Sequence, residues 1–246
     1  FSVSGNTITG QTRQFITTTT GASVTINSPM GLYSGLPSGY DTFVINTKSG
    51  SGSINLKAAV DANYNSFTLT AGGGTVTSDS AAAFTEVNTL TLNDNTSAST
   101  GAFNLSGNLT VEWIDTFAQP YTVNLYGRTN VIGPHLYYRY GNGNSTAFLN
   151  TNGVSLGDDL ADTFWFRQNM TSTAGTTSVA GRIEAEGTLT FGNVTLLDTA
   201  SIISLGGGDV VMANLSGVGK EMIFGDRAGG LMNYTINGST TLGTAT

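Results

Sequence analysis

Short runs in which apolar residues alternate with threonine, serine or asparagine recur along the whole chain, and glycine-rich breakers separate many of them. Val24-Thr25-Ile26, Ser53-Ile54-Asn55-Leu56, Ser66-Phe67-Thr68-Leu69-Thr70, Thr89-Leu90-Thr91-Leu92 and Tyr121-Thr122-Val123-Asn124-Leu125 show it, and the apolar Phe43-Val44-Ile45 reads as a strand too. Period two puts one set of side chains on each side of a pleated strand, and β-branched residues suit a half-buried surface of that kind. The breakers Gly50-Ser51-Gly52, Gly72-Gly73-Gly74, Gly141-Asn142-Gly143-Asn144 and Gly206-Gly207-Gly208 fall at strand-length intervals. Helical spacing occurs only at Ser80 to Val87, which reads as two helical turns, and at Asp158 to Asn169, which suits helix and strand equally. The pattern predicts an all-β chain, an antiparallel β-sandwich or jelly-roll of many short strands, with a β-solenoid as the alternative.

The solenoid alternative rests on a weak internal echo. Asn88-Thr89-Leu90-Thr91-Leu92, Gly107-Asn108-Leu109-Thr110-Val111 and Gly187-Thr188-Leu189-Thr190-Phe191 share a Leu-Thr-apolar core, but the third does not continue the spacing of the first two. Residues 29–246 read as a single large β domain, with a candidate sub-boundary near 171–177. The stretch from Trp113 to Trp165 holds both tryptophans and the only histidine, and the reading places the centre of the core there.

What keeps such a chain wet is not charge. Charged residues are 10% of its 246 residues against about 25% in ordinary soluble domains, whereas Ser and Thr make up about a quarter. Neutral hydroxyl and amide surfaces point to an extracellular, cell-surface or virion-surface protein. The texture is similar to that of extracellular filament and surface-layer subunits and of secreted adhesin passengers, with no motif that names a family. The net charge of −7, with nine Lys and Arg scattered singly, excludes a nucleic-acid partner. No apolar run of about 20 residues spans a membrane. The absence of cysteine removes disulfides and thiolate chemistry. No basic and apolar leader precedes Phe1, which fits a processed export signal or a fragment.

Catalytic motifs are thin. His135 has no nucleophile elbow to serve and reads as a strand-end histidine. Glu184 and Glu186 share one strand face at about 7 Å, a spacing that permits but does not require glycan cleavage. The chain is therefore expected not to be an enzyme. Asp158, Asp159 and Asp162 concentrate three carboxylates beside a turn, a candidate Ca²⁺ site that lacks the EF-hand spacing. N-x-[ST] acceptors for glycosylation stand at Asn95, Asn104, Asn108, Asn144, Asn169, Asn193, Asn214, Asn233 and Asn237.

The N-terminal segment 1–28 opens on an alternating strand whose Phe1, Val3 and Ile8 could fill pockets in a neighbouring subunit, an arm for strand donation. The function expected is that of a structural subunit of an extracellular filament, tube or surface layer, partnering itself through strand edges or arm exchange. The alternative is an adhesin or virion module binding surface glycans through the aromatic stretch Tyr121 to Tyr140; a carboxylate-based glycan-cleaving enzyme is more remote.

Overall fold

The computed structural model describes residues 2–3, 6–9, 13–16, 22–33, 42–47, 51–93, 100–132, 145–227 and 233–242, with side chains described for residues 22–31 and from residue 42 onward. Within them the chain forms twenty-five strands and no helix. All strand pairings are parallel, and they join the strands into one continuous sheet that coils on itself. The chain is a parallel β-solenoid with three faces.

Its first face stacks, among others, Val24–Ile26, Ile54–Leu56, Thr75–Ser78, Ala102–Leu105, Thr122–Leu125 and Val154–Leu156. On the second face lie Met30–Tyr33, Val60–Asp61, Arg128–Val131, Thr163–Phe166 and Met222–Asp226. The third carries Thr42–Asn46, Ser66–Thr70, Thr146–Phe148, Met170–Ser172 and Tyr234–Ile236. Longer strands bend around the corners. The 16-residue strand Leu189–Ser204 runs along the third face, then the first, then the second.

The expected antiparallel sandwich is thus replaced by the solenoid alternative, and the physical reason is simple. Alternation reports that one side of a strand is buried, and this is equally true of an outer hairpin strand and of a solenoid strand. Direction depends on what the turns do. The three residues between Ile26 and Met30, or between Leu105 and Leu109, turn the chain onto the next face without reversing it. The expected helical turns at Ser80 to Val87 are also overturned. Residues 80–83 form a corner that buries Ala82, and Phe84–Leu92 is a strand with Phe84 inside.

The core is a column of stacked inward side chains. Ile26, Leu56, Ser78, Leu105, Leu125, Leu156, Val179 and Leu196 occupy one register position on successive rungs. Ser78 is tolerated inside because its Oγ accepts from the amides of Ser106 (3.0 Å) and Gly107 (3.2 Å) at the next corner. Phe67 packs against Phe43 and Phe84 with ring centroids 5.5 and 5.9 Å away. Buried apolar residues extend from Val24 to Leu215, so the core has no aromatic centre between Trp113 and Trp165. Tyr121, Phe164 and Phe166 do belong to it, but Trp165 points outward. Residues 173–176 form the corner between the third-face strand Met170–Ser172 and the strand Thr177–Ala185, whose first residues lie on the first face.

The strands of the N-terminal segment, Ser2–Val3, Asn6–Thr9 and Arg13–Ile16, pair with the next rung of their own chain. Val3 and Ile8 therefore sit on the backbone of a first rung, while Phe1 lies outside the described residues.

Candidate interaction surfaces

Stacking in register turns each outward position into a row along the solenoid axis, one residue about every 4.8 Å. On the first face the central outward row reads Thr25, Asn55, Thr77, Asn104, Asn124, Ser155, Ser178, Thr195, Ser216, Thr241. Every member is a hydroxyl or an amide, and none is charged. The neighbouring outward row on the same face includes Ser53, Thr75, Ala102, Thr122, Asn193 and Asn214, again without charge. Row members bond to one another from rung to rung. Thr77 Oγ1 donates to Asn55 Oδ1 at 2.9 Å, Asn124 Nδ2 to Asn104 Oδ1 at 2.6 Å, and Thr195 Oγ1 lies 3.1 Å from Ser216 Oγ.

The second face differs. Arg128, Thr163 and Arg182 fall on three successive rungs in one row, and Asn130, Trp165 and Glu184 fill the row beside it. Together with Arg227 these residues line an open hollow of about 380 Å³. Glu184 is the carboxylate inside it. Arg182 Nη2 donates to Glu184 Oε1 from the same strand, and Arg227 Nη1 lies 3.6 Å from that oxygen. Arg128 is exposed and forms no ion pair among the described residues. The lining therefore carries two more positive than negative charges, on a chain whose net charge is −7. Trp165 forms part of the wall, with the Arg167 guanidinium carbon 6.0 Å from its ring centroid; Arg167 in turn pairs with Glu186 at 3.5 Å. Two donors in this wall, Trp165 Nε1 and Arg182 Nε, are buried and have no acceptor among the described residues.

This cluster corrects the reading of the basic residues as singly scattered. Arg128, Arg167, Arg182 and Arg227 are far apart in sequence, yet four of the nine basic residues meet on one face. No local signal marks them. Only the register of the rungs brings them together.

Glu184 lies on the strand Thr177–Ala185 and Glu186 just past its end, so the shared strand face expected for them does not form; each is paired with arginine. Asp158, Asp159 and Asp162 share a corner between the first and second faces. Asp162, 5% exposed, uses Oδ1 to accept from Gly127 N at 2.5 Å and Oδ2 to accept from Asp158 N at 2.9 Å. Asp159 Oδ1 accepts from Ala161 N at 2.7 Å. Partial desolvation, followed by the hydrogen bond and charge of Asp162, raises the Asp158 carboxyl above its ordinary range. Among the described residues no three His, Cys, Asp or Glu side chains form a group suited to a metal ion. A buried carboxylate that sequence reasoning passed over, Glu112, is 5% exposed and accepts from Asn88 Nδ2 at 2.6 Å.

His135 and Leu136 to Tyr140 lie outside the described residues, as do Asn95 and Asn144. Of the other N-x-[ST] asparagines, Asn104, Asn193 and Asn214 are members of the first-face rows. Asn108 and Asn169 cap corners, their Oδ1 atoms accepting from Arg128 N (3.2 Å) and Thr188 N (2.8 Å). Asn233 Nδ2 donates to Asp209 Oδ1 at 3.1 Å, and Asn237 is exposed. No described helix is long and apolar enough to cross a membrane. Set against known proteins, the chain matches no family model, no curated protein and no solved structure.

Proposed function

We propose that the chain is a structural rod of an extracellular surface or filament, packing side by side with copies of itself through the first face. The observation that carries this reading is the row from Thr25 to Thr241, hydroxyl or amide on ten successive rungs. Two rods that each carry a net charge of −7 repel one another, least so along a face that holds none of the charge. Covering such a face also costs less than covering ions, because row members already bond to each other. Lateral packing takes the place of arm donation in this reading, because the N-terminal strands are paired within their own chain.

Sedimentation and negative-stain microscopy of the purified chain test it. Wild type forms side-by-side arrays as concentration rises, and the double variant Thr77→Lys/Ser178→Lys stays monomeric with an unchanged melting temperature. A wild-type chain that remains monomeric at high concentration overturns the reading. So do arrays that form equally well with both lysines in place.

A further inference from the structure

The hollow on the second face has a use that the uncharged face does not supply. We propose that it binds an acidic saccharide, with Arg128 and Arg182 holding anionic groups and Trp165 contacting a sugar ring between them.

Charge spacing comes first. Arg128 and Arg182 share a row two rungs apart, so their backbones are separated by about 10 Å, and Thr163 stands between them. Duplex DNA carries one charge per about 1.7 Å of axis and rewards dense basic surfaces. A hollow with a surplus of two charges and cations this far apart fits a polymer whose anionic groups are sparse. Polysaccharides with one carboxylate or sulfate per repeat have that character.

The rest of the lining agrees. Arginine presents a planar fork of donors that matches carboxylate or sulfate through two parallel hydrogen bonds. Arg128 is exposed with no ionic partner among the described residues, so its fork is available to a ligand. Asn130, Thr163 and Glu184 supply the donors and acceptors that hydroxyl groups need. Glu184, whose charge is offset by Arg182 and Arg227, can accept a hydrogen bond from a sugar hydroxyl. Trp165 offers a large apolar surface with a polar edge, suited to the carbon-bound hydrogens of a sugar ring.

The test is calorimetric titration of the full chain at low and moderate salt. The probes are an oligomer of galacturonic acid, a heparin-derived oligosaccharide, a neutral β-glucan oligomer and a single-stranded oligonucleotide of matched charge. One or both acidic saccharides bind, the neutral glucan and the oligonucleotide do not, and affinity falls with salt. Arg128→Gln weakens binding about tenfold or more without moving the melting temperature. Trp165→Ala weakens it as well, and unchanged circular dichroism guards against misfolding. Failure of both acidic saccharides to bind overturns the proposal, as does equal binding of the neutral glucan. Tighter binding of the oligonucleotide assigns the hollow to nucleic acid instead, and an unaffected Arg128→Gln variant places the ligand elsewhere. These outcomes are independent of whether the rods pack side by side.

Discussion

The Tyr121 hydroxyl donates to the carbonyl oxygen of Leu92 at 2.8 Å and accepts from Phe117 N at the same distance. One fully buried side chain thus fastens the ends of two successive third-face strands at the corner leading to the first face. Its ring also packs against Phe103 with centroids 5.2 Å apart. Tyr121→Phe leaves the ring and strands the two backbone groups, so unfolding in urea at pH 9 should show a loss of about 1–2 kcal/mol.

Burial also pushes ionisation of this hydroxyl from 10.0 to about 12, because the phenolate would be desolvated. Below pH 10 both folded and unfolded chains keep the proton. Between pH 10 and 12 only the unfolded chain gives it up, so stability falls by about 1.4 kcal/mol per pH unit across that window. Tyr121→Phe removes this contribution, and the gap between wild type and variant at pH 9 should narrow by pH 11. A constant gap would mean that the hydroxyl is equally free to ionise in the folded chain.

Two glycines with almost the same backbone angle should respond differently to alanine. Gly181, at φ +77, stands where the strand Thr177–Ala185 turns from the first face to the second, and a Cβ there would lie 2.4 Å from the Asp162 carbonyl oxygen. Gly207, at φ +79, has nothing within 4 Å. Gly207→Ala should cost only the left-handed backbone term, about 1–2 kcal/mol. Gly181→Ala adds a clash with backbone that the next rung cannot relieve, and should cost several kcal/mol in chemical denaturation. Similar losses at both sites would show that the rungs give way more readily than their spacing implies.

Asp162 supports a related expectation. Its carboxylate is already committed to the amides of Gly127 and Asp158, which ties one corner to the corner above it. Asp162→Ala leaves the amides of half-buried Gly127 and exposed Asp158 without this acceptor and should cost about 1–2 kcal/mol. Calcium added to wild type should leave the melting temperature where it was. A calcium-dependent rise that Asp162→Ala abolishes would instead return the three aspartates to the role their sequence spacing suggests.

Strand positions were legible in the sequence because burial alternates wherever Thr alternates with an apolar residue; Val24–Ile26, Ile54–Leu56, Ser66–Thr70 and Thr122–Leu125 are examples. Strand direction was not, since the same alternation serves either arrangement. The repeat was hidden by unequal rungs: successive row positions run from Ser178 to Thr195 on one turn and from Asn124 to Ser155 on another. The Leu-Thr echoes pointed to the solenoid alternative but broke their period for the same reason. Leu90 and Leu189 lie on the third face, whereas Leu109 lies on the second. The arginines of the hollow were illegible because their proximity is created by stacking alone.

The abundance of N-x-[ST] has a physical source in this fold, and it yields the last prediction. On a strand, residues two apart face the same way, so Asn193 with Thr195 and Asn214 with Ser216 are pairs of outward neighbours. A face built from hydroxyls and amides writes the acceptor pattern without any need for glycans. Asn214 Nδ2, the atom a glycan would occupy, instead donates to Asn193 Oδ1 at 2.8 Å, while Asn214 Oδ1 accepts from Ser239 N at 2.8 Å. Expressed through a glycosylating secretory pathway, the folded chain should carry glycan on Asn237, which is exposed, and little or none on Asn104 and Asn214. Peptide mass spectrometry after enzymatic glycan release reads the outcome site by site. Heavy occupancy at Asn214 would show that this row is modified before the rungs close over it, and would leave the first face too bulky for rods to pack against one another.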